Sequence, residues 1–194
     1  MKIFISVLIL IFSFQSWTKA DDIRDFEIEG MSIGDSLLDF YTEEEILNRK
    51  KTGFLYPNKE YFTARLPNKV SNLYERLQFQ IKADDLNYKI YSIEGVNFPD
   101  NIKSCINDKK NIALDVKKIF PNAEEIKNDG KHTGDPTGES YAYETYYMLQ
   151  GGNIIIACYD WSDELTANKG WLDNLKVIID SKEFLYWLNN KAYK

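Results

Sequence analysis

The chain has 194 residues with 24 basic side chains, 30 acidic ones and a single histidine. Its basic residues are scattered among carboxylates in the sequence, whereas phosphate binding draws most of its affinity from clustered Lys and Arg, which argues against nucleic acid as a partner. One histidine also excludes a multi-histidine zinc site.

Residues 1–20 read as a secretory signal peptide: Lys2, an apolar stretch from Ile3 to Phe12, and small residues at Thr18 and Ala20 before Asp21-Asp22. The apolar stretch is short for a transmembrane span, and cleavage is expected after Ala20. Removing Lys2 and Lys19 leaves 22 basic against 30 acidic residues, a net charge of −8. The remaining residues, 21–194, fit one domain that needs no cofactor. They contain no apolar segment of membrane-spanning length and no Cys directly after the signal to carry a lipid. A periplasmic or secreted monomer is expected.

In chain order, Phe26 and Ile28 alternate with acidic residues and predict a leading strand before Gly30. Asp35 is placed to cap a helical turn carrying Leu37, Leu38, Phe40 and Tyr41. Thr42 and Glu45 have the spacing of a capping box. Strands are predicted over Tyr61 to Leu66, Leu73 to Ala83 and Leu86 to Val96, with a turn at Asp84-Asp85. A change of apolar phase within the third of these predicts a bulge or a strand covered on both sides.

A helix with Asp100 as its cap then carries an apolar stripe through Ile102, Cys105, Ile106, Ile112, Ala113, Val116, Ile119 and Phe120, broken by Lys109. Asn122 to Glu139 is polar, with three glycines, and is predicted to be an exposed loop. Three strands follow over Tyr141 to Leu149, Asn153 to Trp161 and Leu175 to Ile179. A last helix is expected from Lys182, capped by Asp180 or Ser181, with Phe184, Leu185 and Leu188 inward. The order predicts an α+β fold with an antiparallel sheet of about six strands, as two three-strand meanders, and helices packed on one face. A tandem α-βββ repeat, with halves at about 21–98 and 99–194, is one reading of that order.

Cys105 and Cys158 both point to the expected helix-sheet interface. In an oxidising compartment they are expected to pair, closing a loop worth roughly 4 kcal/mol at most; two buried thiols are the alternative. Without Cys-x-x-Cys spacing they do not read as a redox catalyst. No serine stands in a Gly-x-Ser-x-Gly elbow to use His132, and no catalytic residue is assigned. Asp129, His132, Asp135 and Glu139 are weak candidates for a cation site, because carboxylates among glycines can offer oxygens. Their spacing does not match the known calcium loop, and a solvated turn serves as well, so no metal is assigned. Tyr141, Tyr143 and Tyr147 share one strand face, Tyr159 and Trp161 share a face of the next strand, and Trp171 lies in a connecting loop. These aromatics either stack on sugar rings or a protein partner, or lie in the core under the helices.

The segment Ile28 to Leu38, Tyr88 to Gly95 leading to Cys105, and His132 to Ser140 leading to Cys158-Tyr159-Asp160-Trp161 together resemble a family of small signal-peptide-bearing exported proteins of marine bacteria that carries no assigned activity. More loosely, the Gly30-Met31-Ser32-Ile33-Gly34 turn entering short helices before a meander is similar to β-lactamase-inhibitor-protein-like modules and small outer-membrane assembly factors. That similarity implies protein binding through a sheet face; the chain departs from the assembly factors in lacking their lipidated Cys. The functional expectation is an exported binding module that contacts an envelope protein. The alternative is a carbohydrate-binding protein or a carboxylate-dependent glycan hydrolase.

Overall fold

A computed structural model describes residues 22–50, 53–71 and 73–194, and the signal-peptide reading of residues 1–20 lies outside them. Seven strands form one open antiparallel sheet: β1 (Tyr61–Leu66), β2 (Arg76–Lys82), β3 (Ser92–Asn97), β4 (Glu124–Lys131), β5 (Tyr141–Leu149), β6 (Gly152–Asp160) and β7 (Asn174–Ser181). Their order across the sheet is β1-β2-β3-β7-β6-β5-β4, so the two strand groups join where β3 pairs with β7. Four α-helices accompany them: α1 (Glu43–Lys50), α2 (Ile102–Ile119), α3 (Asp163–Lys169) and α4 (Lys182–Asn190). The class is α+β, and no helix among the described residues is long and apolar enough to cross a membrane.

Alternation along the strands separates two faces. On the near face Phe62, Ala64, Phe79, Ile93, Val177, Ile179, Ile154 and Ile156 form the main core with Cys105, Val116 and Phe120 of the α2 segment. Burying such side chains contributes about 1.5–3 kcal/mol each. The core is crosslinked by the Cys105–Cys158 disulfide, with Cα atoms 6.0 Å apart. Asn101 caps α2 by accepting the amide of Ser104 at 3.0 Å, a role the sequence assigned to Asp100. Lys109 occupies its place in the α2 stripe and is buried; burial lowers its pKa, opposed by Asp129 at 3.8 Å. The Thr42–Glu45 capping box forms at the start of α1.

The helices do not all lie on one face. The last one, α4, packs on the opposite, far face, where Phe184 and Trp187 meet Tyr61 with ring centroids 5.4 and 4.6 Å away. The inward stripe is therefore Phe184 and Trp187 with Leu188 packed against them, while Leu185 is only half-buried and outside that cluster. An apolar stripe says that a helix has a covered side, not which side of a sheet covers it.

Three further expectations change. Residues around Phe26 and Ile28 form a 3₁₀ turn (Ile23–Asp25) and a bridge between Ile28 and Met31 rather than a strand. The phase shift after Leu86 marks an irregular segment, with Tyr88 at φ 48, and β3 begins only at Ser92. In the region expected to be a loop, β4 forms along the free edge of β5, although its only large apolar side chain, Ile126, is 42 % exposed. Backbone pairing makes this strand, and its charged side chains protect the sheet edge. Four strands thus follow α2 where three precede it, and α3 interrupts the second set.

Replacing Cys105 and Cys158 together by Ala should lower unfolding free energy by about 2–4 kcal/mol, the loop-closure figure for a crosslink of this span. Urea denaturation of the oxidised protein and of the double variant measures it.

Candidate binding cleft

Strand alternation sends Arg65, Arg76, Gln78, Glu94 and Lys176 to the far face beyond the cover of α4. Cross-strand neighbours there are tied into a row. Arg65 Nε donates to Gln78 Oε1 at 2.8 Å, Gln78 Nε2 donates to Glu94 Oε1 at 2.9 Å, and Lys176 Nζ donates to Glu94 Oε2 at 2.9 Å. Toward the other edge of the sheet, Glu144 accepts the Tyr159 hydroxyl at 3.1 Å, the Tyr146 hydroxyl at 2.9 Å and Asn128 Nδ2 at 2.9 Å. Both carboxylates are thus engaged, and the side chains around them are fixed before any ligand arrives.

An aromatic step rises beside this row. Tyr159 on β6 stacks on Trp161 with centroids 5.5 Å apart and planes within 13°. His132 and Trp171 each meet the Trp161 ring edge-on at 4.6 Å. The backbone amide of Trp161 donates to Asp173 Oδ1 at 2.8 Å, tying this step to the loop after α3. Gly170, at φ 67, ends α3 in the left-handed conformation and turns the chain so that Trp171 stands at the rim. Burial lowers the pKa of His132, against the carboxylates of Glu144 and Asp135, which raise it.

Between the step and β1-β2-β3 lies a cleft of about 470 Å³ whose lining includes Arg65, Arg76, Lys169, Lys176, Trp161 and Trp171, and no carboxylate. Among the described residues, Arg65, Arg76 and Lys169 form no salt bridge; Arg65 bonds only the neutral Gln78, and the Arg76 guanidinium lies 4.6 Å over the Phe98 ring. A second groove of about 460 Å³, on the near face between α2 and β4-β5, also contains lysines. There Lys109 faces Asp129 at 3.8 Å, and Lys117 and Lys127 share Glu125 at 3.9 and 3.8 Å, so two carboxylates stand among the lysines. A lining that holds cations and no carboxylate therefore distinguishes the far-face cleft in an acidic protein.

The aromatics singled out from the sequence are divided between the faces. Tyr141, Tyr143 and Tyr147 lie on the near face; Tyr147 is buried and its hydroxyl donates to the Ala113 carbonyl at 2.9 Å. Tyr159, Trp161 and Trp171 form the far-face step. Asp129, His132, Asp135 and Glu139 do not converge. Asp129 accepts the amide of Glu144 at 3.0 Å, and His132 belongs to the aromatic step. Asp135 organises its own turn: burial raises its pKa, but donors from Ser140 and Thr137 outweigh that and hold the carboxyl well below the usual range. Glu139 is exposed. Among the described residues no group of three or more His, Cys, Asp or Glu is placed to hold a metal ion.

The sequence reading missed Arg65, Arg76, Lys169 and Lys176. Two of the chain's four arginines stand near the ends of adjacent predicted strands, but only the β3–β7 pairing brings the lysines to them. No family model, no curated protein and no solved structure matches the chain.

Under α4 the far face continues as a buried polar row of Thr63, Gln80, Ser92, Asp180 and Asn153. Burial pushes Asp180 up to about 7, a hydrogen bond from Ser92 opposes it, Glu94 adds to it and Lys176 opposes it. Unfolded, the same carboxyl releases its proton near pH 3.9. Between these values the native state holds the extra proton, so this contribution to stability is complete below about pH 4 and is lost as pH rises through about 7. Asp180→Asn should remove that dependence and raise unfolding free energy at pH 8 by roughly 2–4 kcal/mol relative to the parent. Denaturation series between pH 4 and 8 provide the check; parallel curves for the two proteins would contradict a buried, proton-holding Asp180.

Proposed function

We propose that this protein is an exported binding module of the cell envelope that holds its partner on the far face of the sheet and carries out no catalytic step. The observation that supports this reading is the cleft itself: three cations without carboxylate partners, beside a fixed aromatic step, on the face left open by α4. Guanidinium and ammonium groups stay protonated at neutral pH, so they hold an anion rather than shuttle protons. Glu94 and Glu144 on the far face are occupied by hydrogen bonds from their neighbours, which argues against their use in paired-carboxylate hydrolysis. Export accords with a crosslinked core, since such bonds persist in oxidising compartments.

The experiment is capture from native envelope extract by the 21–194 protein under oxidising conditions, with the parent compared against two variants. Arg65→Glu/Arg76→Glu reverses charge in the far-face cleft, and Lys117→Glu alters the near-face groove. Retention should fall about tenfold or more in the first and stay at the parental level in the second. The opposite pattern would move the binding surface to the near face.

A further inference from the structure

Resting on that reading, we infer that the far-face cleft recognises an acidic saccharide, a sugar ring carrying a carboxylate. Charge defines one half of this ligand. Arg65 lies opposite Gln78 in the strand register, and Arg76 stands two residues before Gln78 on the same face of β2. That makes the arginines diagonal neighbours roughly 7–8 Å apart and somewhat less at Cβ, a span across which two long side chains can close on one oxyanion. Planar guanidinium forks match carboxylate oxygens in pairs, and Lys169 adds charge from the opposite rim.

The aromatic step defines the other half. Trp161 is held by Tyr159, His132 and Trp171, and Trp171 is 40 % exposed at the rim, offering an indole surface to a flat, weakly polar ring. A sugar ring has such a face. A peptide strand is the poorer fit, because β2, β3 and β7 under the cleft are paired on both sides, and edge strand β1 already bridges to Leu55 at Phe62, which leaves only its short Arg65 end to extend. The cleft volume, about 470 Å³, is also that of a small-ligand site rather than of a protein interface.

The test uses the 21–194 protein with trigalacturonate and a mannuronate trimer, each beside its methyl ester, which keeps the rings and removes the charge. Calorimetry and tryptophan fluorescence should both report binding of at least one acid trimer, with its ester weaker by about tenfold or more. Arg65→Ala and Arg76→Ala should each lose about tenfold, and Trp171→Ala should weaken binding and remove the fluorescence change. All three side chains project from the surface, and far-ultraviolet circular dichroism verifies that the variants fold. Equal binding of acid and ester, or tighter binding of triglutamate than of either trimer, would overturn the inference. So would no binding of either acid trimer up to about 5 mM, the range of affinities weaker than specific recognition. If these sugars fail while the Arg65→Glu/Arg76→Glu variant still loses its partner from extract, the saccharide inference falls and the far-face reading stands. If that variant also retains its partner, both fall.

Discussion

The pairing of β3 with β7 is the contact on which the rest of this structure depends. Six residue pairs, from Ser92 opposite Asp180 to Asn97 opposite Leu175, join a three-strand group to a four-strand group as one continuous ladder. The join is long-range in sequence, so its backbone bonds form only after the chain has closed a large loop through α2 and β4 to β6. It makes one near-face core from both groups. It also sets Arg65 and Arg76, on β1 and β2, beside Lys176 and the aromatic step carried by β6 and the loop before β7.

The two faces have different physical tasks. Aliphatic side chains, α2 and the Cys105–Cys158 crosslink fill the near face, and apolar burial there supplies most of the favourable free energy. The far face is polar along its middle, and beyond the cover of α4 two networks match its charged groups: Gln78 links Arg65 to Glu94, and Glu144 gathers donors from three residues. Such matching removes most of the cost of leaving or burying polar groups at a sheet surface. Where α4 covers this face, the same polar character persists in a low-dielectric setting, and Asp180 holds its proton to about pH 7 as a result. Where α4 does not reach, the surface stays open and keeps unpaired cations.

How much was legible follows from what each element relies on. The β1, β5 and β6 strands, helix α2 and the Thr42–Glu45 cap all carry an apolar period or a local hydrogen-bonding motif, and these are written within a few residues of each other. Edge strand β4 carries neither, because every inward requirement on it is met by backbone pairing to β5. The leading segment around Phe26 and Ile28 shows the reverse case: its alternation is real, but no strand partner adjoins it, and the chain folds into tight turns instead. At the cleft, Tyr159, Trp161 and Trp171 stood out as large aromatics with a polar edge. Their cationic partners looked like any other lysines and arginines of a mixed-charge chain.

The sequence by itself determined the α+β class, the positions of most strands and the long helix, and the direction of both cysteines toward a shared interface. Those properties depend on periodicity and local chemistry, which act over a few residues. Tertiary structure decided which face each helix covers, that Tyr147 lies in the core while Tyr159 serves the open face, and that four scattered cations line one cleft. Those outcomes depend on which strands become neighbours. Strand neighbourhood is set by the free energy of the whole sheet and its core, and no short stretch of residues specifies it.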